Sequence, residues 1–91
     1  MTTKGEHTMK QYELRKVNSK KIYFVGSPIQ CLLALAEITA RESVPISYVY
    51  NLKSDYMTHD ADIVKVPNKV NEKKANEILS DLHSDYFITE R

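Results

Sequence analysis

Lys21-Ile-Tyr-Phe-Val-Gly-Ser-Pro-Ile-Gln-Cys-Leu-Leu-Ala-Leu-Ala-Glu-Ile38 is the stretch on which a reading of the fold turns. Ile22-Tyr23-Phe24-Val25 is an unbroken apolar run, the pattern of a strand covered on both faces rather than one with a wet side. Gly26 ends it. Ser27 is a favoured helix N-cap, Pro28 suits the first helical position, and Gln30 stands three residues after the cap, so Ser27–Gln30 reads as a capping box. The helix it opens is predicted from Pro28 to about Glu42. Ile29, Leu32, Leu33 and Ala36 form its main apolar stripe, and Cys31, Leu35 and Ile38 widen that stripe. A helix apolar over most of its circumference asks for cover on more than one side. In so short a chain, Cys31, Leu35 and Ile38 are therefore the expected interface of a homo-oligomer.

The flanking segments extend the pattern. Met1–Met9 is polar and aperiodic, which predicts a disordered tail, with residues 10–91 as a single domain. Tyr12 and Leu14 alternate with Glu13 and Arg15, and Asn18-Ser19-Lys20 supplies a turn, so an antiparallel N-terminal edge hairpin is expected. Ile46–Leu52 alternates as a strand, Lys53–Asp60 reads as a polar loop, and Ile63–Val66 as a short strand. A second helix is predicted over Asn71–His83 from Ala75, Ile78, Leu79 and Leu82, and a last strand over Asp85–Thr89. The order β-β-α-β-β-α-β predicts an α/β domain, a mixed sheet with a parallel centre. Without the last strand the alternative is α+β, ββαββα.

Composition narrows the function. The 91 residues carry 13 Lys and Arg against 12 Asp and Glu. No basic excess points to nucleic acid, and no apolar run approaches a membrane span. The single cysteine cannot form an internal disulfide, and Met1–Lys20 holds no apolar signal segment, so a cytoplasmic setting is expected.

Four groups bear on chemistry. Gly26, Ser27 and the amides of Ile29 and Gln30 lie where a helix start faces the carboxyl end of a strand, a place that binds phosphates in parallel sheets. Tyr23 and Tyr48 are the tyrosines placed to stack on a base, and Lys69 and Lys73 the lysines placed to meet an anion. Asp55, His59, Asp60 and Asp62 match no compact metal loop, so no metal is expected. His83 reads as a complement to a helix dipole. No nucleophile–base order, paired-carboxylate frame, CxxC or P-loop occurs, so no catalytic residue and no cofactor are expected, and the balance leans away from an enzyme.

Phe24-Val25-Gly26-Ser27-Pro28-Ile29-Gln30, followed by an alanine- and leucine-rich helix, resembles the opening strand and helix of bacterial sialyltransferase-type glycosyltransferases. Leu82-His-Ser-Asp-Tyr-Phe-Ile88 is similar to helix-to-strand joints of such nucleotide-sugar domains. Those enzymes join two Rossmann-like domains in a chain several times longer, and the catalytic and donor-binding motifs of their second half have no counterpart here. The resemblance thus implies a shared local geometry, and as a function a fragment or remnant of a nucleotide-sugar transferase domain. The residues themselves favour a small non-catalytic binding module. It would be homo-oligomeric and would hold an anionic, nucleotide-like ligand, as a phage-type accessory protein sequestering a host signal would. The alternative is a protein-interaction module or inhibitor, with a host protein as partner and no small ligand.

Overall fold

The structure, a computed structural model, describes residues 10–42 and 47–91. The expected tail at 1–9 and the start of the expected strand at Ile46 lie outside them. The elements are β1 (Tyr12–Lys16), β2 (Ile22–Gly26), α1 (Pro28–Arg41), β3 (Tyr48–Asn51), β4 (Tyr56–His59), β5 (Asp62–Lys65), α2 (Glu72–Asp81) and β6 (Tyr86–Glu90).

The strands form two three-stranded sheets, ordered β2-β1-β6 and β3-β4-β5. Every strand pair is antiparallel. The expected mixed sheet with a parallel centre is thereby corrected, as are both expected element orders. The reason lies in β1, whose Leu14 is fully buried while Glu13 and Arg15 alternate with it to the opposite face. Their charges suggested an edge strand. With helices packed on one face of the sheet only, a central strand can carry charges on the other face, and β1 sits between β2 and β6. The apolar run of β2 consequently lies at an edge, where Ile22 is 42% exposed.

The segment expected as a polar loop contains β4. Met57 is fully buried within it, and the strand is bracketed by turn residues that take left-handed backbone, Asp55 (φ 56°) and Asp60 (φ 57°). Aspartate tolerates that conformation, which the two-residue connection from β4 to β5 demands at Asp60, while Asp55 closes the four-residue connection from β3. The Asn51 side chain shapes the preceding turn by accepting from the amides of Lys53 (3.0 Å) and Ser54 (3.3 Å).

Both helices start as their side chains dictate. Ser27 Oγ accepts from the Gln30 amide (3.2 Å), and Gln30 Oε1 accepts from the Ser27 amide (2.9 Å). Asn71 Oδ1 accepts from the Lys74 amide at 2.8 Å to cap α2. One core joins the layers: Leu14 and Ile88 from the first sheet, Met57 and Tyr48 from the second, Leu32 and Leu35 from α1, and Ile78, Leu79 and Leu82 from α2 and its end. Among the described residues, no helix is long and apolar enough to cross a membrane.

Candidate functional site

The residues expected to hold a ligand are dispersed. At the start of α1 the capping box consumes the Ser27 and Gln30 amides and Pro28 has none, so of the donors expected there the Ile29 amide alone is left outside the cap. Gly26 is buried, and a Cβ there would fall 2.7 Å from Gln30 Oε1 and 2.7 Å from the Phe24 ring. Close packing against those groups accounts for the glycine without a ligand. Ile29 is half-buried against the core. Tyr23 lies toward the opposite end of β2, its ring edge-to-face with Tyr86 (5.3 Å) and beneath the Lys21 ammonium (4.7 Å). Lys69 and Lys73 are exposed, before α2 and in its first turn. No concavity described below joins Ser27 to Tyr48, Lys69 or Lys73. Cys31 and Leu35 are fully buried and Ile38 is 9% exposed, all within the chain's own core. Intramolecular packing thus uses the widened stripe of α1 that sequence reasoning assigned to a second copy.

Tyr48 is only 5% exposed. Its ring stacks on His59 with centroids 4.0 Å apart, stands edge-to-face with Tyr86 (6.2 Å), and its hydroxyl donates to Ser84 Oγ (2.9 Å). The rings of Tyr48, His59 and Tyr86 line a cleft of about 180 Å³ between the sheets, with Lys16, Thr39, His83 and Asp85 around it. His59 Nδ1 is buried there without a hydrogen-bond partner. Burial pushes the phenols of Tyr48 and Tyr86 above the ordinary tyrosine range. They therefore stay protonated at neutral pH and do not act as phenolate bases. Asp55 and Asp60 hold turn positions, and His83 Nε2 lies 3.8 Å from Asp62 on an exposed surface. Among the described residues, no group of three or more His, Cys, Asp or Glu is placed to hold a metal ion.

The larger concavity lies on the open face of the first sheet. It is a groove of about 440 Å³ lined by Arg15, Lys16, Asn18, Ser19, Lys20, Phe87 and Thr89. Strand alternation builds it: Leu14 and Ile88 point into the core, so Arg15, Phe87 and Thr89 point away from it. The β1–β2 turn forms its end, with Asn18 in left-handed backbone (φ 65°) and the Ser19 amide donating to the Lys16 carbonyl (3.1 Å). Arg15 is pinned, donating to Glu13 Oε1 (3.1 Å) and to the Lys20 carbonyl (3.3 Å). Glu13 also lies 3.6 Å from Arg91, so two guanidinium groups share one carboxylate and positive charge remains. The Lys16 ammonium is turned toward the Tyr86 ring (5.6 Å), leaving Lys20 and Arg15 as the groove's principal cations.

Sequence reasoning missed this groove. Arg15, Lys16 and Lys20 flank one hairpin turn, which was a visible signal, but Phe87 and Thr89 reach them only through the β1–β6 pairing. No protein-family model, curated protein or solved structure matches the chain. The crevice that the glycosyltransferase-like segment implies needs the carboxyl end of a central parallel strand. Here β2 is the edge of an antiparallel sheet.

Proposed function

We propose that the protein is a non-catalytic binding module for an anionic, nucleotide-like ligand, held in the groove on the open face of the first sheet. The observation that carries this reading is the lining: Arg15, Lys16 and Lys20 beside Phe87, Asn18, Ser19 and Thr89, with no carboxylate among them. The groove's roughly 440 Å³ falls in the range of small-molecule sites, about 300–1,000 Å³, whereas the inter-sheet cleft falls below it. The Arg15 fork, already oriented by Glu13, and the Lys20 ammonium take the phosphate. The Phe87 ring, 36% exposed, offers a face to the base. Sequestration of a signal nucleotide by a phage-type accessory protein needs no more than this. The buried free thiol of Cys31 suits the reducing cytoplasm.

A thermal-shift series with mononucleotides, cyclic dinucleotides, nucleotide sugars and ADP-ribose tests the reading. A ligand at about 100 times its Kd stabilises by about 2.7 kcal/mol, which raises Tm by roughly 10–20 °C in a domain this small. Lys20→Glu should abolish that shift and leave the unliganded Tm unchanged. No shift with any of these compounds contradicts the reading.

One observation favours the protein-interaction alternative instead. The second sheet turns Val49 (55% exposed), Ile63 (65%) and Tyr56 (42%) outward, with Leu52 (69%) in the adjoining turn. Alternation places Val49, Thr58 and Ile63 in one row across its strands.

A further inference from the structure

The near-neutral total conceals a division of charge. Residues 10–26 and 86–91, which hold the first sheet and its turn, carry six lysines and arginines against Glu13 and Glu90. The rest of the described chain carries six against nine acidic residues. Both glutamates of the first sheet are met locally, Glu90 by Lys10 (3.7 Å) and Glu13 by Arg15 (3.1 Å) and Arg91 (3.6 Å). An excess of four positive charges remains, carried by Lys16, Lys20, Lys21 and the second guanidinium beside Glu13. Residues 1–9 add one lysine and one glutamate, and residues 43–46 add no charge. Neither segment therefore brings the anionic surplus that this surface calls for.

The excess is spread along the open face. Register places Ile22, Arg15 and Phe87 in one row across the strands, and Val25, Glu13 and Thr89 in the next. Arg15 thus stands between two exposed apolar side chains. Beyond the second row the Arg91 amide donates to the Gln11 carbonyl (2.9 Å). Gln11 precedes Arg15 by four residues, so Arg91 lies roughly 14 Å along the face at about 3.4 Å per residue. A mononucleotide in the groove fills only the turn end of this row of cations. Resting on the nucleotide reading of the groove, we infer that the open face of the first sheet binds single-stranded nucleic acid, one base lying on Phe87 and the phosphates running from Lys20 and Arg15 to Arg91. Phe87 decides for a single strand. A ring set on the surface of a sheet stacks on a base only where that base has left its own duplex.

Fluorescence anisotropy with oligonucleotides of about ten residues, one of DNA and one of RNA, tests this on the unmodified chain. At least one of them should bind tenfold or more tighter than the best mononucleotide, and the two arms show which sugar the face accepts (order of magnitude). Log affinity should fall with log salt at a slope of roughly −2 to −3, as three or four phosphate contacts to a single strand give. Arg91→Ala should reduce that slope by about 0.7, and Arg91→Lys should restore it. Phe87→Ala should weaken the oligonucleotide by about tenfold. If mononucleotides bind and neither oligonucleotide binds more tightly, the strand is overturned and the nucleotide groove stands. If neither kind binds, both fall. A slope that Arg91→Ala leaves unchanged also overturns the strand, as does inorganic polyphosphate binding as tightly as the oligonucleotide.

Discussion

Cys31 shows how burial decides chemistry at the scale of one residue. Its thiol is fully buried, and the cost of desolvating a thiolate raises its pKa from 9.0 to about 11, against a smaller opposing effect of the Gly26 backbone amide, which donates toward the sulfur. Native protein should therefore resist thiol reagents at neutral pH and be labelled only after unfolding; fast labelling of the folded chain would contradict the packing of α1. The sign of the linked stability follows. A folded-state pKa above the unfolded value means the folded chain holds its proton longer. Stability is then complete below the unfolded pKa and is lost as pH rises through the folded one. Burial shifts Tyr48, Tyr50 and Tyr86 in the same direction. Denaturant midpoints should accordingly hold level up to about pH 9 and fall beyond it, as the thiol and these phenols ionise on unfolding. A midpoint that rises above pH 9 would refute the assignment.

Ser27 and Asn76 are single side chains whose roles belong to the elements they terminate or border. Ser27→Ala removes one half of the capping box and should cost about 1 kcal/mol, read as a lower urea midpoint at unchanged slope. Because the proposed groove lies away from the α1 start, the same variant should bind any nucleotide ligand as well as the original chain. A loss of affinity beyond the loss of stability would return the site to Ser27. Asn76→Ala strips both partners from the Ile88 backbone and should cost about 2–3 kcal/mol, more than an exposed helix substitution would. It should also open the β6 edge, visible as faster exchange of the Ile88 amide; unchanged exchange there would mean another group covers that edge.

At the level of elements, what local chemistry controls was readable and what distant pairing controls was not. Ser27, Pro28 and Gln30 announce the start of α1, because caps are settled within four residues, whereas for α2 the sequence offers Asn68 or Asn71 and the structure uses Asn71. The position of β2 was misread because an apolar run says that a strand is well covered, not that other strands cover it. Phe24 gains its cover from α1 and the β1 neighbour Leu14, while Ile22 stays open. β4 was hidden by polarity: Thr58 and His59 look like loop residues until Met57 is seen to enter the core. The groove was harder still, since Arg15 and Phe87 lie far apart in the chain and meet only as register partners of β1 and β6.

For the whole molecule, the account rests on a division of labour between the faces of its sheets. The inner faces share one core with both helices, whereas the outer face of the first sheet carries the basic groove and that of the second an apolar row. The most direct test of where a ligand sits is a map of backbone amide shifts, taken as the best compound from the thermal-shift series is titrated into labelled protein. The account predicts that the largest shifts fall on Arg15, Lys16, Asn18–Lys20 and Phe87–Thr89, and that Phe87→Ala removes them without unfolding the chain. Shifts centred on Ser27–Gln30, or on Tyr48, His59 and His83 in the inter-sheet cleft, would contradict it.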